Sequence, residues 1–239
     1  MKRVLYYPKC GTRAGHFTVN LIPQNNSEYN ITCPSGHVFT AKFLHHHFEK
    51  LFETSIHSIV NGSYRDAIGA FAACQESFMR LFIEIVISAK GIEESLCLEA
   101  WKRIARQSER QLGAYIYLYL IEFNKMPFLI PESQVAIHNK AIHQGYFPSK
   151  EECLTYGRYI LASIRDTIAS LHESESLKAE TWDSIFKTGE LFPEGGGMTY
   201  VDWPLIGANR APGVDDQTLD EMIEYVAGLG SLPFPSVDP

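Results

Sequence analysis

A chain of 239 residues, 45% apolar and 21% charged, has room for one or two globular domains and is too apolar to be largely disordered. Its formal net charge of -7 excludes a protein that coats nucleic acid through a pervasive basic field, although a local basic site is compatible with it. The charge is uneven: residues 1–50 carry +4, residues 190–239 carry −8 and the middle carries −3, so the two ends are expected to have different surroundings.

Residues 1–43 read as a small β module. Val4 to Tyr7, Phe17 to Ile22, Tyr29 to Thr32 and Val38 to Phe43 are β-prone runs, separated by turn signals at Pro8, Pro23 and Pro34-Ser35-Gly36. So small a piece hides little apolar surface, and it needs a staple or a neighbour. Cys10, His16, Cys33 and His37 supply candidate staple ligands. Thiolate and imidazole carried on tight turns suit tetrahedral zinc, and two such turns around a hairpin look like a zinc ribbon. The pattern departs from the ribbon at Tyr7, which stands where the first cysteine of the first knuckle falls, so His16 is needed as fourth ligand. A metal-free hairpin is the alternative.

The five cysteines, Cys10, Cys33, Cys74, Cys97 and Cys153, are odd in number, and three sit in helical patterns. This argues against a disulfide framework and for a reducing compartment. The N-terminus has too few apolar residues before Pro8 for a signal-peptide core. The densest apolar run, Tyr115 to Ile121, is far shorter than a bilayer requires. The expectation is a cytoplasmic protein without a membrane partner.

Helical periodicity begins near residue 44 and continues to 189. His45-His46-His47 point about 100° apart on a helix and cannot chelate one ion together, so they read as a polar helix face. Tyr64, Ile68, Phe71, Gln75, Phe78, Phe82, Ile85 and Ala89 form one seam after a Ser63 cap. Glu76 and Arg80 sit beside it at ion-pair spacing. A second long helix is expected from Glu94 to Phe123, with Trp101, Ile104, Ser108, Leu112, Tyr115 and Tyr119 inward. A shorter helix follows Pro131. Another starts at Ser149, where Ser149 and Glu152 make a capping box, and its stripe of Cys153, Gly157, Ile160, Ile164 and Leu171 includes a glycine suited to a close crossing. Residues 190–239 read as an irregular, Pro/Gly-rich acidic tail with one short helix, Asp216 to Gly228. Trp203, Leu205 and Ile206 are expected to pack it back on the chain, where its charge would cover basic surface.

The segment from His138 to Glu152 is the most informative chemically. His138 and His143, five residues apart, lie about 140° apart on a helix and do not make the i, i+4 pair of a helical metal site. Two imidazoles near a helix end, with Lys140 and Lys150 close in sequence, suit proton transfer at a phosphodiester. On residues alone, two exposed helix-end histidines are the favoured reading.

The stretch 134–172 resembles the C-terminal half of a HEPN domain. In that family an Arg-Asn-x-x-x-His motif precedes a glycine, an aromatic residue, a proline and a capped helix. Asn139, His143, Gly145, Tyr146, Pro148, Ser149, Glu151, Glu152 and the helix with Tyr156-Gly157 match it here. The helix from Tyr64 to Lys90, with Phe71, Phe78 and Glu76, resembles the family's first long helix, so the likeness spans about residues 60–172. It implies a mainly α protein: a HEPN-like bundle (44–189) between the zinc-ribbon-like module (1–43) and the acidic tail (190–239). It further implies a homodimer that binds RNA or nucleotide, and a metal-independent ribonuclease of a defence or toxin system. His138, Asn139 and His143 would form the catalytic set, with Lys140, Tyr146 and Lys150 on the substrate. His138 stands where the motif has arginine, and it lacks arginine's bidentate grip on phosphate. A second reading therefore stays open, a noncatalytic HEPN-like adaptor whose tail binds a protein. A metal-dependent hydrolase built on the His-rich N-terminal half is a more distant third.

Overall fold

A computed structural model of the chain describes residues 2–6, 16–21, 28–186, 198–200, 205–208 and 217–228. Four strands come first: β1 (Lys2–Tyr6), β2 (His16–Asn20), β3 (Glu28–Thr32) and β4 (Val38–Phe43). β1 and β2 pair antiparallel with Leu5 opposite Phe17, and β3 and β4 pair antiparallel with Ile31 opposite Phe39. Alternating side chains from these hairpins bury Leu5, Phe17, Tyr29, Ile31, Phe39 and Phe43 in a small cluster of their own. Aromatic edges hold it, with Phe17 against Phe39 at 6.3 Å and Tyr29 against Phe43 at 5.7 Å.

The rest is mainly helical: α1 (His47–Val60), α2 (Tyr64–Ala89), α3 (Glu94–Ile104), α4 (Ser108–Phe123), α5 (Glu132–His143), α6 (Lys150–Glu173), α7 (Glu175–Phe186) and α8 (Leu219–Gly228). α2 is the central element, with α1, α4, α5, α6 and α7 all packed against it. Its expected seam is buried at Ile68, Phe71, Phe78, Phe82 and Ile85, while Tyr64, Gln75 and Ala89 lie half-buried at its margins. The capping box at Ser149 is present, with Glu152 N donating to Ser149 Oγ and Ser149 N donating to Glu152 Oε2. Gly157 on α6 does admit a close crossing. A Cβ there would lie 2.7 Å from the Phe71 ring and 3.0 Å from Leu219.

Three expectations are corrected. The single helix from Glu94 to Phe123 is two, broken at Gln107, whose φ of -136° and ψ of 112° are extended. The break is held by side chains: Gln111 Nε2 donates to Ala105 O at 2.9 Å, and Arg110 Nη1 to Arg103 O at 3.2 Å. Neither bond is visible as a periodicity. Second, Arg80 turns away from Glu76 to Glu84, at 2.8 Å, and lies over the Trp101 ring.

The third correction concerns His45-His46-His47. Only His47 is on α1; His46 is its N-cap, and both His45 and His46 are buried at 5% exposure rather than on a polar face. His45 stacks on Phe43 and His46 on Phe48. Burial lowers the His46 imidazole to about 4, so it adds no charge in mild acid. An unfolded chain would take up that proton near pH 6.5. Stability associated with His46 is therefore intact above pH 6.5 and is lost progressively down to pH 4, by up to about 3 kcal/mol. Urea unfolding at pH 7 and pH 4.5 checks this: a His46→Asn variant is expected to lose less stability across that interval than the native chain, and equal losses would rule the effect out.

Part of the acidic tail region is built into the molecule. β5 (Met198–Tyr200) pairs parallel to β4, a strand that the sequence reading lacked. Ile206, Ala208, Leu219, Met222 and Val226 join the helical core, and Leu205 packs at its edge. Trp203 lies outside the described residues. Glu49, buried on α1, accepts hydrogen bonds from His46 N and Ala208 N. Arg158 on α6 pairs with Asp220 at 3.0 Å, so one tail acid is neutralised within the chain.

Candidate functional site

α5 and the loop after it position the candidate site. The helix begins after Pro131, which occupies its N-cap, and stops at Gln144. Gly145 follows with a φ of 69°, the left-handed conformation that closes many helices, and Tyr146 N donates back to Lys140 O at 3.2 Å. The His138 and His143 rings come within 6.3 Å of each other, nearly perpendicular at 82°. Sequence spacing alone placed them on different faces. His143 is the last residue of its helix and stays exposed, whereas His138 is half-buried and stacks on Tyr156 of α6 at 6.3 Å and 14°. Burial lowers the His138 imidazole, a hydrogen bond with the Asn139 side chain works against that, and the neighbouring His143 adds to it. The balance lies below the ordinary histidine value and favours the neutral form of the His138 ring.

The other expected residues divide by role. Asn139 is exposed beside His138, and Lys140 and Lys150 are exposed at the end of α5 and the start of α6. Tyr146 donates its hydroxyl to Glu152 at 2.9 Å, which fastens the loop to the capping box. Phe147, next to it, is 82% exposed.

A cation at this helix end was missed in the sequence. Arg65, in the first turn of α2, donates from Nε to Ala141 O at 2.9 Å and from Nη2 to Ile142 O at 3.5 Å. A guanidinium on the last carbonyls of a helix is favoured by the helix dipole. Its only sequence signal is a basic residue far from the motif, and nothing local links residue 65 to residue 141.

No family model matches the chain, and no curated protein or solved structure matches it.

The candidate zinc set is described in part. Cys33 Sγ and His37 Nδ1 lie 3.3 Å apart on a turn closed by Cys33 N to His37 O and Gly36 N to Cys33 O, with Gly36 at a φ of 82°. Zinc–sulfur and zinc–nitrogen bonds of about 2.3 and 2.0 Å at a tetrahedral angle put two ligand atoms roughly 3.5 Å apart, so this pair fits one ion. Cys10 lies outside the described residues, and His16 is described by its backbone, opposite Tyr6. Among the described residues no group of three or more metal-ligating side chains gathers. No helix among them is long and apolar enough to cross a membrane.

Proposed function

We propose that this is a HEPN-like RNA-binding protein with a metal-independent ribonuclease centre at the C-terminal end of α5. The observation that carries the reading is the approach of His138 and His143 to 6.3 Å, a separation at which one phosphodiester can touch both rings. In the proposed reaction His138 takes the proton of a ribose 2′-hydroxyl, and the oxygen attacks the adjacent phosphorus. His143 gives a proton to the departing 5′-oxygen, leaving a 2′,3′-cyclic phosphate. Arg65, bound to the carbonyls of Ala141 and Ile142 just before His143 in the chain, is the candidate for the positive charge that the motif has as arginine at position 138.

A homodimer belongs to this reading, because the family's sites are composite. The outer face of α4 supports it, with Tyr117 69% and Ile121 71% exposed one helical turn apart. The adaptor reading draws support from the stack of His138 on Tyr156, which gives that histidine a packing role.

The deciding assay is cleavage of a mixed RNA pool in excess EDTA, with sedimentation at micromolar concentration alongside. Cleavage to cyclic-phosphate ends by a dimer is the expected result. If the native chain is inert and His138→Arg cleaves, the domain is a lapsed nuclease and the adaptor reading prevails. Activity that survives loss of both histidines would place the chemistry elsewhere.

We also propose one structural zinc per chain, held by Cys33 and His37 with Cys10 and His16. Elemental analysis of tag-free protein is expected to find about one zinc per chain, and Cys33→Ser to lose it. Metal-free protein whose melting ignores chelator would show an unmetallated hairpin.

A further inference from the structure

A cavity of about 680 Å³ opens elsewhere on α2, along its 73–88 face, closed in by the end of β4, the start of α1, α3 and α7. None of His138, Asn139, Lys140, His143, Tyr146 or Lys150 lines it. Its size falls in the range of about 300–1,000 Å³ usual for small-molecule sites.

Its lining is divided in charge. Lys50 and His47, from the first turn of α1, face it with Arg80 of α2. Burial, and then the charges of Lys50 and Arg80, lower the His47 imidazole, which therefore faces the cavity as a neutral hydrogen-bonding ring within the field of those cations. Opposite charge comes from Glu84, Glu180 and, facing no cation among the described residues, Glu76. Glu76 is half-buried, and among the described residues no cation or hydrogen-bond donor is paired with its carboxylate, because Arg80 is bound to Glu84. Burial and the Glu109 charge raise the Glu76 carboxyl. A partly buried carboxylate of this kind gains most from a ligand that brings its own donors. The same cavity has a flat wall, the Trp101 ring with the Arg80 guanidinium 5.1 Å from its centroid.

These features define a ligand. It is planar enough to lie on an aromatic and guanidinium wall, carries an anionic group for His47 and Lys50, and offers adjacent N–H donors to a carboxylate. Guanine presents two such donors side by side, at N1 and at its exocyclic amine. Adenine sets one donor beside a ring-nitrogen acceptor, which would face a carboxylate oxygen with no hydrogen between them. We infer that this cavity is a binding site for a guanine nucleotide, with the base edge on Glu76 and the phosphate at His47 and Lys50. The site stands independently of the histidine pair on α5.

Titration calorimetry of the full chain with GMP, AMP and guanosine tests this. GMP is expected to bind roughly 5–150-fold more tightly than AMP, the discrimination given by one bidentate contact to a base edge. Glu76→Gln, which replaces one acceptor by a donor, is expected to erase that preference. Lys50→Ala should weaken GMP while leaving guanosine unchanged. The double variant His138→Ala/His143→Ala should bind GMP as the native chain does, so the cavity and the proposed nuclease centre can fail separately. Equal affinities for GMP and AMP overturn the inference on the native chain alone, even if a variant misfolds. So does unchanged GMP binding by a folded Glu76→Gln.

Discussion

Replacing His143 by alanine is expected to lower the rate of the proposed metal-independent RNA cleavage by roughly 10²–10⁴-fold, the usual span for one lost acid–base group. The ring lies at the exposed end of α5, so its removal takes little from the core and leaves thermal unfolding nearly unchanged. His138→Ala behaves differently. It removes the stack on Tyr156 as well as a proton acceptor, so both rate and stability fall. The two variants together, assayed in EDTA with unfolding followed in parallel, separate a catalytic pair from a packing pair. Should His143→Ala cleave as fast as the native chain, the proton donor is not this imidazole.

Phe71→Ala is expected to destabilise the chain by about 3–5 kcal/mol, the range for deleting a fully buried ring. Phe71 meets Phe52 edge-on at 5.5 Å and Tyr156 at 6.5 Å, and Gly157 of α6 rests against its rim. One ring thus joins α1, α2 and α6. At roughly 2–4 °C per kcal/mol for a chain of this size, the melting temperature should fall by roughly 6–20 °C. Scanning calorimetry reads it directly, and a fall of less than 2 °C would mean that the crossing has collapsed around the void. Tyr156 is also the platform of His138, so a loosened Tyr156 should slow any cleavage more than the fall in folded fraction explains.

Residue patterns carried much of this architecture. The four N-terminal strands, the α2 seam, the Ser149 capping box and the crossing at Gly157 each follow from local rules of alternation, helical period, capping or side-chain size. What could not be read depends on distant partners. Gln107 looks like any helical residue until Gln111 and Arg110 bind the carbonyls before it. Met198–Tyr200 is too short to announce a strand, and it becomes one because the β4 edge is available. His45 and His46 look hydrophilic, yet they stack on phenylalanines at the junction of sheet and bundle. At the candidate site the motif located His138 and His143 but not their mutual approach. Arg65 entered through tertiary structure alone.

The way residues 198–228 are used has a consequence for synthesis on the ribosome. β5 completes the sheet edge at β4, Ala208 N is received by Glu49 on α1, and Leu219 closes over Gly157 on α6. All three acceptor surfaces are translated earlier than the segments that cover them. A nascent chain stalled before residue 198 therefore presents an open strand edge, a buried-type carboxylate without one of its donors and an uncovered apolar groove at the same time. Emergence of residues 198–228 covers all three, and until then the chain exposes the kinds of surface, strand edge and apolar groove, that favour aggregation.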